Sequence, residues 1–183
     1  MNILGLYDEK NPETEGAVAA LEAWARSEGH APRFVDASAL SLKPCLGCFG
    51  CWLQTPGSCL IGGDEGRAFV EALAPADLFL VLTRIPFGSF APAVKRTLDR
   101  SIPVLLPYFT LHRGEMHHAQ RYRRPRRLLH VPYGDYEAEE LATFAGLAAA
   151  HCDNLLAPPA RRQFAYRGDP EALVAWVAEE LAS

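Results

Sequence analysis

The sequence predicts an α/β domain built around a doubly wound, five-stranded parallel sheet, and three observations carry that expectation. Short apolar runs alternate with helix-patterned segments along the 183-residue chain. One run, Asp77 to Thr83 (DLFLVLT), is apolar without alternation, as a strand covered on both faces requires. Five strands alternating with five helices imply parallel pairing, because a parallel pair needs a helical crossover between its strands.

The elements follow in order. Asn2 to Tyr7 is a short buried strand, and Val18, Leu21 and Ala25 then recur like the core face of a helix that Gly29 ends. Arg33 to Ala37 is a weaker second strand. Asp64 is placed to cap a helix with Phe69, Val70 and Leu73 inside, and the third strand, Asp77 to Thr83, comes next. A helix carrying Ala91, Val94 and Leu98 leads into Ile102 to Phe109, an apolar stretch broken by proline. Leu128 to Tyr133 reads as the fourth strand, and Asp135 opens a helix with Leu141, Phe144 and Ala148 on one face. The fifth strand falls within Asn154 to Tyr166, although Pro158 and Pro159 interrupt it. Asp169-Pro170-Glu171 starts the last helix with a capping side chain and a proline at its first position. Right-handed crossovers then gather the loops after strands one, three and four at the switch point where such sheets bind ligands.

The length suits one domain spanning residues 1–183, with a cysteine-rich loop at 45–59 and a basic excursion at 110–127. A formal charge of −4 and 49% apolar residues fit a soluble enzyme and oppose nucleic-acid binding as its main business. No stretch approaches the roughly 18 apolar residues of a membrane span, and the N-terminus lacks a signal pattern, so the expected compartment is the cytoplasm. In that reducing setting Cys45, Cys48, Cys51 and Cys59, spaced C-x2-C-x2-C-x7-C, point to metal or redox chemistry rather than disulfides. Three readings fit them: a [4Fe–4S] cluster around which Gly47 and Gly50 curl the backbone, a four-thiolate zinc site, or reduced thiols packed beside a redox centre.

PCLGCFGC ending at Cys51, GSCLIGGDE around Cys59, TRIPFGSFAPAVKRTLDR from Thr83 to Arg100 and GEMHHAQRY from Gly114 to Tyr122 together carry a family resemblance. The chain resembles the flavodoxin-like NADPH-dependent FMN reductases and their relatives, the iron–sulfur flavoproteins, over residues 1–135, with the same order of elements thereafter. The resemblance implies strand order 2-1-3-4-5, a homodimer or larger homo-oligomer, and electron transfer from NAD(P)H through flavin mononucleotide (FMN) to a quinone, flavin or other small acceptor. It also implies a flavin site. Gly88 in the loop Pro86-Phe87-Gly88-Ser89-Phe90 would let backbone N–H groups approach the ring, Phe87 would stack on it, and Tyr133 and Gly134 would complete the far side. Phe87 and Phe90 read equally as ordinary core aromatics.

The chain departs from that family at the phosphate. Where members place a Ser-x-Arg loop, this sequence has Tyr7-Asp8-Glu9-Lys10-Asn11-Pro12-Glu13-Thr14-Glu15. Tyr7, Lys10, Asn11 and Thr14 remain as candidate contacts at a helix N-terminus, which favours anions, among four carboxylates that do not. Arg121, Arg123, Arg124, Arg126 and Arg127 form a second constellation, read as a site for a 2′-phosphate or acidic partner or as a solvated, dimer-facing loop. Glu115, His117 and His118 form a weaker metal candidate, while His30, His130 and His151 read as incidental and Cys152 as a buried helix residue. The expected function is an FMN-dependent oxidoreductase. The alternatives are a one-electron iron–sulfur carrier and a cofactor-free binding or interface protein of the same fold.

Overall fold

The computed structural model describes residues 1–122 and 126–182. A parallel sheet runs in the order β2 (Ala31–Asp36), β1 (Asn2–Tyr7), β3 (Leu78–Thr83) and β6 (Arg127–Pro132). All six residues of β3 are buried, which is why its apolar run shows no alternation: Leu78, Leu80 and Leu82 serve one layer, Phe79 and Val81 the other. α1 (Pro12–Ser27) and α6 (Pro170–Leu181) cover the first face through Ala17, Leu21, Leu173 and Trp176. α3 (Gly66–Leu73), α4 (Pro92–Asp99) and α5 (Ala138–Asn154) cover the second through Phe69, Val94 and Phe144. A four-residue helix, α2 (Gly50–Leu53), lies inside the cysteine loop.

The helix starts have the local chemistry their sequences announce. Asn11 accepts from the Thr14 amide while the Thr14 hydroxyl serves the Asn11 amide, a reciprocal cap on α1. Asp169 accepts from the amides of Glu171 and Ala172 at the start of α6.

Two departures matter. Among the described residues the parallel sheet has four strands rather than five: Pro158 and Pro159 remove two amide donors, and of the segment expected to form the fifth strand only the Tyr166 amide reaches β6, at Pro132 O, 2.9 Å away. The stretch from Ile102 does not extend α4. It makes one 3-10 turn, Ile102–Val104, and then enters β4 (Leu105–His112), paired antiparallel with β5 (Glu115–Gln120). Arg113 (φ +50°) and Gly114 (φ +83°) form the connecting turn, whose left-handed pair matches the twist of the strands it joins.

Two arginines of the basic excursion have structural partners. Buried Arg126 donates to the carbonyls of Leu73, Ala74 and Ala76, closing the carboxyl end of α3. Arg121 donates to Pro103 O and Leu105 O, tying the hairpin to the turn before it. Arg126 is therefore not part of a solvated loop; Arg123 and Arg124 lie outside the described residues.

Candidate functional site

The residues expected around a flavin gather at the carboxyl edge of β1, β3 and β6, but their polar groups are engaged with one another. At its centre is Asp8, 1% exposed. Its carboxylate accepts from the Glu9 amide (2.9 Å), from the Arg84 amide and Nε (3.2 and 2.8 Å), and from the Tyr133 hydroxyl. Arg84 also meets Glu9 at 2.8 Å, and Asn11 Nδ2 donates to the Tyr133 oxygen at 2.9 Å. Burial, then the hydrogen bond to Asp8, raises the Tyr133 pKa well above that of a free phenol. Of the other candidates, buried Thr14 donates to Glu9 O and Lys10 pairs with Glu15. Tyr7 ends β1 beside Asp36, whose charge adds to burial in raising the Tyr7 pKa.

An FMN phosphate does not fit this edge. The position after β1 that would take an anion already holds one, the Asp8 carboxylate. Arg84 is spent on Asp8 and Glu9, the Thr14 amide is spent on Asn11, and Pro12 has no amide to offer.

Gly88 (φ +73°) packs on α5, where a Cβ would sit 2.6 Å from Thr143 Cβ and 3.0 Å from Glu140 O. Its glycine is required by helix contact and by a left-handed backbone. Phe87 is 93% exposed and its amide donates to Glu140 Oε1, while Pro86 and Ser89 are exposed. Phe90 is a core aromatic, edge-on to Phe144. Gly134 sits against the stem of Arg84.

A cavity of about 620 Å³ lies between α4, α5, the cysteine loop and the hairpin. Phe90, Leu98, Leu105, Leu147 and Leu155 give it apolar walls, and all four loop cysteines line it. Of the residues expected around a flavin, Phe90 alone reaches it. An aromatic ladder flanks the hairpin side: Phe49 stacks on Trp52 (5.2 Å), Trp52 meets His118 (4.6 Å), and His118 meets Phe109 (4.7 Å). Trp52 Nε1 donates to Leu105 O, which fixes the ladder to β4. Phe49 and His118 line the cavity, and His118 Nδ1 is buried without a hydrogen-bond partner.

The base of the cysteine loop is pinned by a buried ion pair. Arg100 donates to both Asp64 oxygens, at 2.6 and 3.0 Å, and to Lys43 O. Both side chains are essentially inaccessible, and Arg100 holds the Asp64 carboxyl far below the ordinary carboxylate range. Gly66 leaves room for the guanidinium, since a Cβ there would lie 2.2 Å from Arg100 Nη2. Asp64 also accepts from the Gly66 amide, but the capping position of α3 is Glu65, one residue later than expected, and it makes no side-chain capping bond.

Cys45 and Cys48 are exposed, whereas Cys51 and Cys59 are buried, and all are free thiols. Burial raises the Cys51 pKa, and the charges of Cys59, Cys45 and Cys48 raise it further, so the four sulfurs share one neighbourhood. Among the described residues no group of three or more His, Cys, Asp or Glu side chains is placed to hold a metal ion. Nor is any helix among them long and apolar enough to cross a membrane.

Three features of this site escaped the sequence reading. Arg84 drew no attention because nothing local separates it from a surface arginine after a strand. His130 and His151 read as incidental because they meet only across β6 and α5. The Asp64–Arg100 pair spans 36 residues.

No family model matches the chain, and none of the curated proteins does. Solved structures do match. A candidate quinone reductase from Klebsiella pneumoniae is 16% identical, with a TM-score of 0.63 covering 100% of this chain and 84% of that one. The apo form of EmoB, an NADH:FMN oxidoreductase, is 16% identical with a TM-score of 0.62, covering 98% and 88%. An NAD(P)H:quinone oxidoreductase from Methanothermobacter marburgensis is 11% identical with a TM-score of 0.57, covering 98% and 93%. At these identities the likeness shows a shared fold, and the four-stranded parallel sheet is consistent with a flavodoxin-like one.

Proposed function

We propose that the protein is an oxidoreductase that reduces a planar aromatic acceptor, a quinone or a flavin ring, in the cavity beneath the cysteine loop, with reduced nicotinamide as hydride donor. The observation that carries this reading is the cavity itself. Its volume is in the range that encloses a small ligand, its walls are mainly apolar, and a few polar groups converge on it. Such a slot excludes water from the reacting carbonyls and strengthens each hydrogen bond made inside it. The names of the structural neighbours, which include quinone and FMN oxidoreductases, agree with this class of acceptor.

The filled anion position shapes the choice of ligand. A flavin here is recognised by its ring, so riboflavin and FMN should bind within about threefold of each other, a difference under 1 kcal/mol. Titration of menadione, riboflavin and FMN against tryptophan fluorescence tests this, followed by anaerobic NAD(P)H oxidation with each bound ligand. Leu147→Trp, which fills the cavity from α5, should abolish binding of all three. Absence of any binding at about 100 μM, weaker than about −5.5 kcal/mol, would leave a cofactor-free binding or interface protein of this fold.

The competing reading is a one-electron carrier with a [4Fe–4S] cluster held by Cys45, Cys48, Cys51 and Cys59, which the arrangement of the thiols does not favour, since among the described residues no group of three or more such side chains is placed to hold a metal ion. Anaerobic reconstitution separates the two. The cluster reading needs about four iron and four sulfide per chain, lost in Cys48→Ser.

A further inference from the structure

We infer that His130 and His151 form a two-imidazole proton relay that feeds the acceptor cavity, an inference that rests on the reductase reading above. His130 lies within β6 and His151 in the last turn of α5, and the packing of these elements brings Nε2 of the first to 2.9 Å from Nδ1 of the second. His151 lines the 620 Å³ cavity. His130 lines a second cavity of about 330 Å³, between α5 and the irregular segment that replaces the fifth strand. The hydrogen-bonded pair is thus a polar bridge between two spaces, through a layer otherwise closed by Phe90 and Phe144, whose rings pack on the imidazoles.

A nitrogen–nitrogen hydrogen bond has one proton between its two atoms, so the pair cannot be doubly charged and keep this contact. Burial pushes both rings toward the neutral form. For His151, which falls to about 4, the positive charge of Lys95 from α4 adds to that effect; for His130 the added effect comes from His151. Lys95 is itself paired with Asp99. In the tautomer where His130 Nε2–H donates, His151 holds its own proton on Nε2, the nitrogen left for the cavity.

Reduction of a quinone to a hydroquinone takes two electrons and two protons. A hydride leaving C4 of the dihydronicotinamide supplies both electrons and one proton, and oxidises that ring to the nicotinamide cation. The other quinone oxygen takes the second proton from His151 Nε2, its O–H bond forming as the N–H bond breaks. His151 Nδ1 then takes the proton of His130 Nε2, and His130 Nδ1 takes one from water in the smaller cavity. After the hydroquinone leaves, water restores the starting tautomers: His151 Nε2 regains a proton, His151 Nδ1 returns the shared proton to His130 Nε2, and His130 Nδ1 gives its own to the hydroxide left in the smaller cavity. The relay lets an apolar slot remain dry while its ligand is protonated.

The test uses the whole chain with menadione and reduced nicotinamide, and reads binding, turnover and the imidazole nitrogens separately. In His151→Gln and His130→Gln, menadione should bind within twofold of wild type. Turnover should fall on the order of 10²-fold in the first and at least tenfold in the second, as loss of a general acid predicts. Because glutamine at 130 can still donate to His151, a purely structural role would leave turnover of that variant unchanged, and such a result overturns the relay. In wild type, ¹⁵N spectra should show two neutral rings at pH 7 sharing one proton, with His151 Nε2 shifting when menadione binds. A charged ring, or an unmoved Nε2 in the loaded protein, overturns the inference whatever the variants do. A wild type that does not bind menadione fails the reductase reading first, and the relay falls with it.

Discussion

Replacing Asp8 with serine tests whether this chain supplies its own anion where a phosphate would otherwise sit. The substitution removes a buried carboxylate that accepts four hydrogen bonds, from the Glu9 and Arg84 amides, Arg84 Nε and Tyr133. Hydrogen bonds to a charged group contribute about 1.5–3 kcal/mol each in the best cases, and neutral ones about 1. Arg84 is half exposed and regains water, so its share is discounted to about 1 kcal/mol. Tyr133 keeps the Asn11 donor but loses its acceptor, at a cost of about 1–2 kcal/mol. The expected loss is about 3–4 kcal/mol, measured by urea unfolding in an uncharged buffer. The vacated position then has unsatisfied donors and room for an external anion. Phosphate at about 50 mM, bound with a dissociation constant near 1 mM, should return about 2.3 kcal/mol to Asp8→Ser and almost nothing to wild type. Equal concentrations of chloride serve as the control. A variant as stable as wild type, or one that phosphate stabilises no more than chloride does, would refute the assignment of this edge as an internally filled anion site.

Gly88→Ala should lose about 2–3 kcal/mol, because its Cβ meets Thr143 and Glu140 at a left-handed φ, while menadione affinity stays unchanged since Gly88 does not line the cavity. Calorimetry with a parallel titration checks both halves. Asp64→Asn should leave the buried Arg100 charge uncompensated, lowering stability by about 3–5 kcal/mol, and should speed thiol labelling of Cys51 and Cys59 as the loop base loosens. Acid should act through His151. The unfolded ring binds a proton below about 6.5 and the folded one only below about 4, so stability falls as pH drops through that window, by up to about 3 kcal/mol, and His151→Gln should flatten the fall. We expect a homodimer formed by the hairpin, where Phe109 and Leu111 share a face of β4 and Leu111 pairs with Met116, all three exposed. Light scattering at micromolar concentration should give a dimer mass for wild type and a monomer mass for Phe109→Glu combined with Leu111→Glu.

The sequence by itself determined what depends on neighbours within a few residues. The unbroken apolar run through Leu78 and Leu82 specified a central strand, because only burial on both faces accommodates it. Asp169-Pro170 marked the start of α6 by the donors and the backbone angle that a helix start needs. That the loops after β1, β3 and β6 meet at one edge was likewise legible, since the loops after parallel strands must end there. The hairpin was missed because Pro107 within β4 and Pro103 just before it obscured its strand pattern, although the Arg113-Gly114 turn was a usable signal.

Tertiary structure alone decided the chemistry of the site. Whether acidic residues after β1 repel a phosphate or replace it depends on Arg84, 76 residues from Asp8, and on Tyr133, 125 residues away. Whether two histidines are incidental or a bridge depends on the register of β6 against α5, which no local pattern encodes. Propensity and periodicity act over one or two turns of chain, whereas the satisfaction of a buried charge is settled by whichever distant donor the packing delivers to it.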